Sequence, residues 1–166
     1  MATIETGMQA PNLSLFTTTG DSFSLQDALK SATPVVAAFF KVSCPTCQYT
    51  FPFLERIYKA YSKDKVRIIG VSQDNKKDTE AFAREYGVSF PILLDDTKKY
   101  PSSNAYGLTH VPSLFLISPT GNVEQITVGW LKPEIEQLNK GVAKAAGVAP
   151  AQIFKPGEQV ADYKAG

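Results

Sequence analysis

Six consecutive apolar residues, Val35-Val36-Ala37-Ala38-Phe39-Phe40, lead through Lys41-Val42-Ser43 into Cys44-Pro45-Thr46-Cys47, and these are the only two cysteines in the chain. An unbroken apolar run of this length suits a strand covered on both faces, as in an α/β sheet. Pro45 predicts a helix start, because the amide proton that proline lacks has no helical partner at a first helical position. Cys44 then stands at the N-terminal edge of that helix, where unpaired amides and the macrodipole favour a thiolate over a thiol. Cys47 lies one turn further in, within reach of a mixed disulfide formed on Cys44. Pro45 and Thr46 restrict the bridge between the two sulfurs. A C-x-x-C at a strand-to-helix junction reads as a redox motif, with Cys44 as nucleophile and Cys47 as resolving thiol.

Three plainer readings compete. Zinc also takes C-x-x-C spacing, but a structural site normally uses four Cys or His ligands, and this chain offers two Cys and the single His110. A purely structural disulfide closing so short a loop removes little entropy from the unfolded chain. Two inert buried thiols remain as the third reading.

With 166 residues, 43% hydrophobic and 20% charged, the chain has the balance of one globular domain with a proper core. Lys plus Arg number 17 against 16 Asp plus Glu, which gives no electrostatic case for nucleic acid or an anionic membrane. The first residues lack the basic start and apolar run of a signal peptide, and no stretch approaches the ~20 apolar residues of a membrane span. A cytoplasmic protein is therefore expected, and a cytosolic setting favours catalytic over structural cysteines. Nothing in the sequence fixes an oligomeric state.

Around the cysteines, alternating polarity in Ala10 to Phe16, the turn residues Thr17 to Asp21 and the resumption at Ser22-Phe23 predict an N-terminal hairpin. Ser24 followed by Asp27 resembles a capping box for a short helix through Leu29. Leu54, Ile57, Tyr58 and Tyr61 give the cysteine helix one apolar face, and Pro52 is expected to kink it. Val66 to Val71 reads as the second central strand, and a helix follows over about 77–86, with Phe82 and Tyr86 as an i, i+4 pair. Ile92-Leu93-Leu94 suits an edge strand or extended connector, and Asp95-Asp96-Thr97 is expected to start a short helix toward Tyr106. Ser113 to Ile117, the Pro119-Thr120-Gly121-Asn122 turn and Val123 to Val128 form the clearest hairpin. Pro133 opens the last helix, along which Ile135, Leu138 and Val142 recur, and Gly147 closes it. The tail, 148–166, carries turn-forming prolines and glycines together with Ile153, Phe154, Val160 and Tyr163, and reads either as a packed extension or as partly disordered.

This order of elements resembles the thioredoxin superfamily from about residue 8 to 146. Cys44-Pro45-Thr46-Cys47 falls on its redox motif, Pro52 on its helix-kinking proline, Val111-Pro112-Ser113 on its cis-proline segment and Gly129 on its glycine beside the active site. The N-terminal hairpin and the extra segment at about 75–105 are similar to TlpA-like or AhpC/TSA-type redoxins. The resemblance implies a thioredoxin-like α/β fold: a central mixed sheet with helices on both faces, the N-terminal hairpin, and a helical insertion before the cis-proline strand. It implies a redoxin domain over 1–146 with a C-terminal extension over 147–166. It also implies a cis Val111-Pro112 bond and backbone pairing of Val111 with an extended substrate, although a strand-starting proline would fit Pro112 equally well. Pro45, Thr46, His110, Val111, Pro112, Gly129 and Trp130 are the candidate substrate-binding residues. His110 precedes the cis-proline segment and as a cation would favour the Cys44 thiolate; a solvated loop histidine is the alternative. Trp130 is either part of an apolar rim or packing. The implied activity is thiol–disulfide exchange without metal or organic cofactor. Its partners would be protein or small-molecule disulfides and a reducing partner, in cellular redox homeostasis.

Departures from the family are equally informative. Ala38 stands where thioredoxins place a buried carboxylate and Ser43 where they have tryptophan, so the acceptor of the Cys47 proton is open among water, Lys41 and a distant Glu. Val42 to Thr46 also resembles the peroxidatic loop of the peroxiredoxins, which makes an antioxidant peroxidase the second reading, with a sulfenate on Cys44 condensing with Cys47. Lys41, however, replaces that family's Thr or Ser, and Arg56, Arg67 and Arg84 match no activating arginine. A non-catalytic binding module on the same fold is the third.

Overall fold

The computed structural model describes residues 4–166. From the N-terminus the elements are β1 (Ser14–Phe16), β2 (Ser22–Ser24), α1 (Leu25–Leu29), β3 (Val35–Phe40), α2 (Pro45–Ala60), β4 (Arg67–Ser72) and α3 (Lys76–Tyr86). They continue with β5 (Ile92–Leu94), α4 (Pro101–Ala105), β6 (Ser113–Ile117), β7 (Val123–Val128), β8 (Trp130–Leu131), α5 (Lys132–Ala146) and β9 (Tyr163–Lys164).

All six residues of β3 are buried, and the strand occupies the middle of a five-stranded sheet ordered β5-β4-β3-β6-β7. The first three strands in that order are parallel, while β6 runs antiparallel to both β3 and β7. Because side chains alternate along a strand, β3 feeds two cores at once. Val36, Ala38 and Phe40 meet Phe51, Leu54 and Ile57 of α2, Phe82 of α3, and Ile135, Leu138 and Val142 of α5. Val35, Ala37 and Phe39 meet Leu25 of α1, Leu13, and Tyr106 just after α4. The ring contacts Phe40–Phe51 (4.3 Å), Phe40–Phe82 (4.8 Å) and Phe51–Phe82 (5.5 Å) fix the pose of α2 and α3 on the sheet; each such pair contributes about 1 kcal/mol beyond area burial.

Local signals hold in most places. Ser24 Oγ accepts from the Asp27 N–H and caps α1, the Phe82 and Tyr86 rings meet at 4.8 Å, and β5 is the sheet edge. Pro52 lies inside α2, which runs through it from Pro45 to Ala60. The second central strand begins and ends one residue later than expected. The short helix after β5 is also corrected: it begins at Pro101 rather than near Asp95. Asp95 is buried instead, its carboxylate accepting the N–H groups of Asp96, Ser102 and Ser103 and the Ser103 hydroxyl. It thereby satisfies the N–H groups of a helix that starts six residues on.

The tail packs. After Gly147, whose left-handed φ of 70° ends α5, the chain returns across α2. Ala151 donates its N–H to the Tyr61 hydroxyl (2.8 Å) and accepts from Asn139 Nδ2 (2.8 Å). Arg56 donates to the Ile153 carbonyl and to both Glu158 carboxylate oxygens, each at 2.8 Å. Further on, Ala161 donates to the Tyr49 hydroxyl (2.9 Å) and accepts from Trp130 Nε1 (2.6 Å). Strand β9 then pairs antiparallel with β8.

The Arg56 guanidinium holds the Glu158 carboxyl down at about 2, helped by the Lys155 N–H. A folded value below the ordinary 4.5 means that this clasp acts fully above that value and fades as pH falls toward about 2. In hydrogen exchange corrected for intrinsic rates, residues 151–161 should lose protection across that window. Glu158→Gln should show the loss already at neutral pH; unchanged protection there would show that the clasp does not hold the tail.

Candidate active site

Cys44 is the N-cap of α2, with extended backbone (φ −82°, ψ 114°), and its sulfur accepts the Cys47 N–H at 3.1 Å. A sulfur thus fills the position usually taken by a capping oxygen, and α2 aims its first free amides at it. Pro45 occupies the first helical turn and is exposed, as expected from its missing N–H. The two thiols differ sharply in surroundings. Cys44 is half-buried and its Sγ also lies 3.5 Å from the Val111 carbonyl, to which a thiol proton donates. Cys47 is fully buried against Ala38 and the core of α2. Burial pushes the Cys47 thiol far up; the neighbouring Cys44 sulfur and the negative charge of Asp74 add to this, while a hydrogen bond from the Lys41 backbone opposes it.

The Val111-Pro112 bond is cis, as the resemblance implies, and brings the Val111 carbonyl to Cys44. Gly129 sits beside it, its N–H donating to the Pro112 carbonyl at 2.9 Å. Its φ of 76° suits glycine, and a Cβ there would stand 2.8 Å from the Lys164 carbonyl oxygen and 2.9 Å from the Gly166 nitrogen. Cys44, Cys47, Pro45, Thr46, Val111, Pro112 and Gly129 therefore gather at one end of the sheet, where β3 gives way to α2.

Two of the candidate residues are placed differently. Trp130 is not a rim residue: it is fully buried, packs against Tyr49 and Phe53 at 4.9 Å each, and gives its N–H to Ala161. The tail covers it, so it supports the site from beneath. His110 is exposed, and its Nδ1 faces Thr109 Oγ1 at 3.1 Å rather than either sulfur. It borders a polar depression of about 250 Å³ together with Lys41, Gln73 and Tyr100. Thr46 is buried because the tail covers it as well, its hydroxyl donating to the Ala165 carbonyl at 2.5 Å.

Asp74 is the site residue that sequence reading missed. It follows β4 by two residues, and because β4 runs parallel to β3 the ends of both strands reach the same edge. Its carboxylate accepts the Val42 N–H at 2.8 Å, anchoring the loop that leads to Cys44, while its own N–H donates to Ser72 Oγ at 3.0 Å. The signal available in the sequence was its place just past a parallel neighbour of the cysteine strand.

Known proteins resemble this chain over most of its length. A model of the AhpC/TSA family matches residues 6–126. The thioredoxin-like protein YneN of Bacillus subtilis (strain 168) is 34% identical over 139 residues, 81% of this chain and 78% of that protein. The thiol–disulfide oxidoreductase ResA of the same organism is 32% identical over 127 residues, 76% and 69% of the two chains. Among solved structures, a thiol:disulfide interchange protein from Bacteroides sp. superimposes with a TM-score of 0.73 at 26% identity, covering 88% of this chain and 93% of that one.

Since the charge of Asp74 raises the Cys47 thiol, removing it should ease ionisation. Asp74→Asn should lower the pH midpoint for alkylation of Cys47, followed by mass spectrometry, and Asp74→Glu should restore it. A midpoint unchanged in Asp74→Asn would show that the charge does not reach the sulfur.

Proposed function

We propose that Cys44 is the nucleophile and Cys47 the resolving thiol of this chain, which belongs to the AhpC/TSA family and is a thiol–disulfide oxidoreductase. The asymmetry of the pair carries this assignment: one sulfur is half-buried at a helix N-terminus, the other is sealed beneath it with its thiol form favoured. In the reducing direction the Cys44 thiolate attacks one sulfur of a substrate disulfide. The substrate S–S bond breaks, its second sulfur leaves as a thiolate, and a mixed disulfide forms on Cys44. Cys47 then loses its proton and attacks Cys44, releasing the second substrate thiol and leaving Cys44–Cys47 oxidised by two electrons. Ala38 puts no carboxylate under Cys47, and Asp74 is the acidic group whose charge bears on that sulfur.

Protein disulfides are the proposed substrates, with a separate dithiol partner restoring the reduced pair. The naming of ResA as a thiol–disulfide oxidoreductase and the cis-proline carbonyl beside Cys44 support this. The proposed setting is the cytoplasm, where thiols are kept reduced. A peroxidase role ranks lower on the placement of the arginines. Arg56 is engaged by Glu158, Arg67 pairs with Val35 at the far end of β3, and Arg84 lies in the last turn of α3, which runs back from the site.

Cys47→Ser should accumulate mixed disulfides through Cys44, and Cys44→Ser should accumulate none. Equal adducts from both variants would contradict the roles. Hydroperoxide consumption by the wild-type dithiol should not exceed that of Cys44→Ser, and insulin reduction should be lost in both variants; consumption above that level would move the peroxidase reading to first place.

A further inference from the structure

Tyr163 to Gly166 run beside the dithiol and the cis-proline segment. Leu131 and Trp130 face Tyr163 and Lys164 across the β8–β9 ladder, and the Lys132 N–H donates to the Asp162 carbonyl at 2.9 Å. Ala165 takes the Thr46 hydroxyl, from within the Cys44-Pro45-Thr46-Cys47 motif. Gly166 fits between Val111 and Gly129: a Cβ on it would stand 3.0 Å from the Val111 oxygen and 3.3 Å from the Gly129 Cα. That Val111 oxygen is the one 3.5 Å from Cys44 Sγ. An extended backbone therefore already runs along the cis-proline carbonyl and the β8 edge, the kind of free strand edge that captures an extended peptide by backbone pairing.

We propose that Tyr163–Gly166 is an intramolecular occupant of the groove in which an extended protein disulfide reaches Cys44, so that the tail and a protein substrate exclude one another. The proposal rests on Cys44 being the nucleophile. The tail divides into two parts by how it is held. Residues 151–161 are fastened by Tyr61, Asn139, Arg56, Tyr49 and Trp130. Residues 163–166 are held by a two-residue ladder, one hydroxyl and the Lys164 ammonium 4.9 Å over the Tyr49 ring, and all four are exposed, Tyr163 at 64%. The short, exposed segment belongs to the low-stability end of a structure, where local opening is cheapest. A segment tethered this closely competes at an effective concentration of roughly millimolar, which a protein substrate at micromolar level does not match. The same fit sets a preference: Gly166 passes between Val111 and Gly129, and a branched side chain has no room there.

The test compares the full chain with a chain ending at Asp162 and with Lys164→Pro, which removes an N–H from the ladder. Both changes leave the bonds of Tyr49 and Trp130 to Ala161 in place, and Trp130 fluorescence reports whether the anchor is intact. Insulin is the protein disulfide and 2,2′-dithiodipyridine the small one. Because apparent affinity scales with the open fraction, shortening should raise kcat/KM for insulin ~5-fold or more, with Lys164→Pro following. The rate with dithiodipyridine should not change. A peptide of the sequence Val160 to Gly166 should inhibit the shortened chain on insulin and have little effect on the full chain. Equal or slower insulin reduction by the shortened chain and by Lys164→Pro would overturn the proposal while leaving the dithiol assignment standing. Loss of both substrates' reduction in every form, with no adduct trapped on Cys47→Ser, would overturn the assignment and the proposal together.

Discussion

A single capping contact organises the site: the Cys47 N–H donates to the Cys44 sulfur at the point where β3 ends and α2 begins. It places one sulfur in the ring of unpaired amides at a helix start and draws the other into the first turn, under the sheet edge. Everything else acts to hold that junction. The fully buried β3 fixes the strand end, the Phe40–Phe51–Phe82 contacts fix the helix, and Asp74 fixes the loop between them through the Val42 N–H.

The chemistry follows from unequal burial. A buried thiol is held protonated by its own desolvation, so Cys47 is a poor nucleophile until its proton has somewhere to go. That keeps the first attack with Cys44 and makes resolution the step that depends on neighbouring groups. Asp74 both raises the Cys47 thiol and anchors the loop before Cys44 through the Val42 N–H, two roles of one carboxylate. Asp74 comes from the loop just past β4, the parallel neighbour of β3, and Ala38 packs in the core.

The tail changes how the surface around the sulfurs is used. Trp130, Thr46 and Gly129 each serve it: the indole by a hydrogen bond, the threonine by its hydroxyl, the glycine by lacking a Cβ. Three positions that a sequence reading assigns to substrate are therefore occupied by the chain's own backbone. This unites Gly129's place beside the site with its positive φ, since both let a second strand run close to the first.

What the sequence determined by itself was local. The apolar run, the proline after Cys44, the Ser24 and Gly147 caps and the Pro-Thr-Gly-Asn turn each act within a few residues, so strand, helix start and dithiol were readable from neighbours along the chain. The cis-proline segment was legible only through resemblance, because residue chemistry alone also allows an ordinary strand start. Tertiary structure decided what depends on distant partners. Asp74 reaches the cysteine loop because two parallel strands end together, and Asp95 delays its helix because it can satisfy amides seven and eight residues away. His110 faces solvent, and Trp130 is buried because residues 151–164 cross over it. None of these is encoded in a period or a spacing; each requires parts of the chain remote in sequence to be brought to the same edge of the sheet.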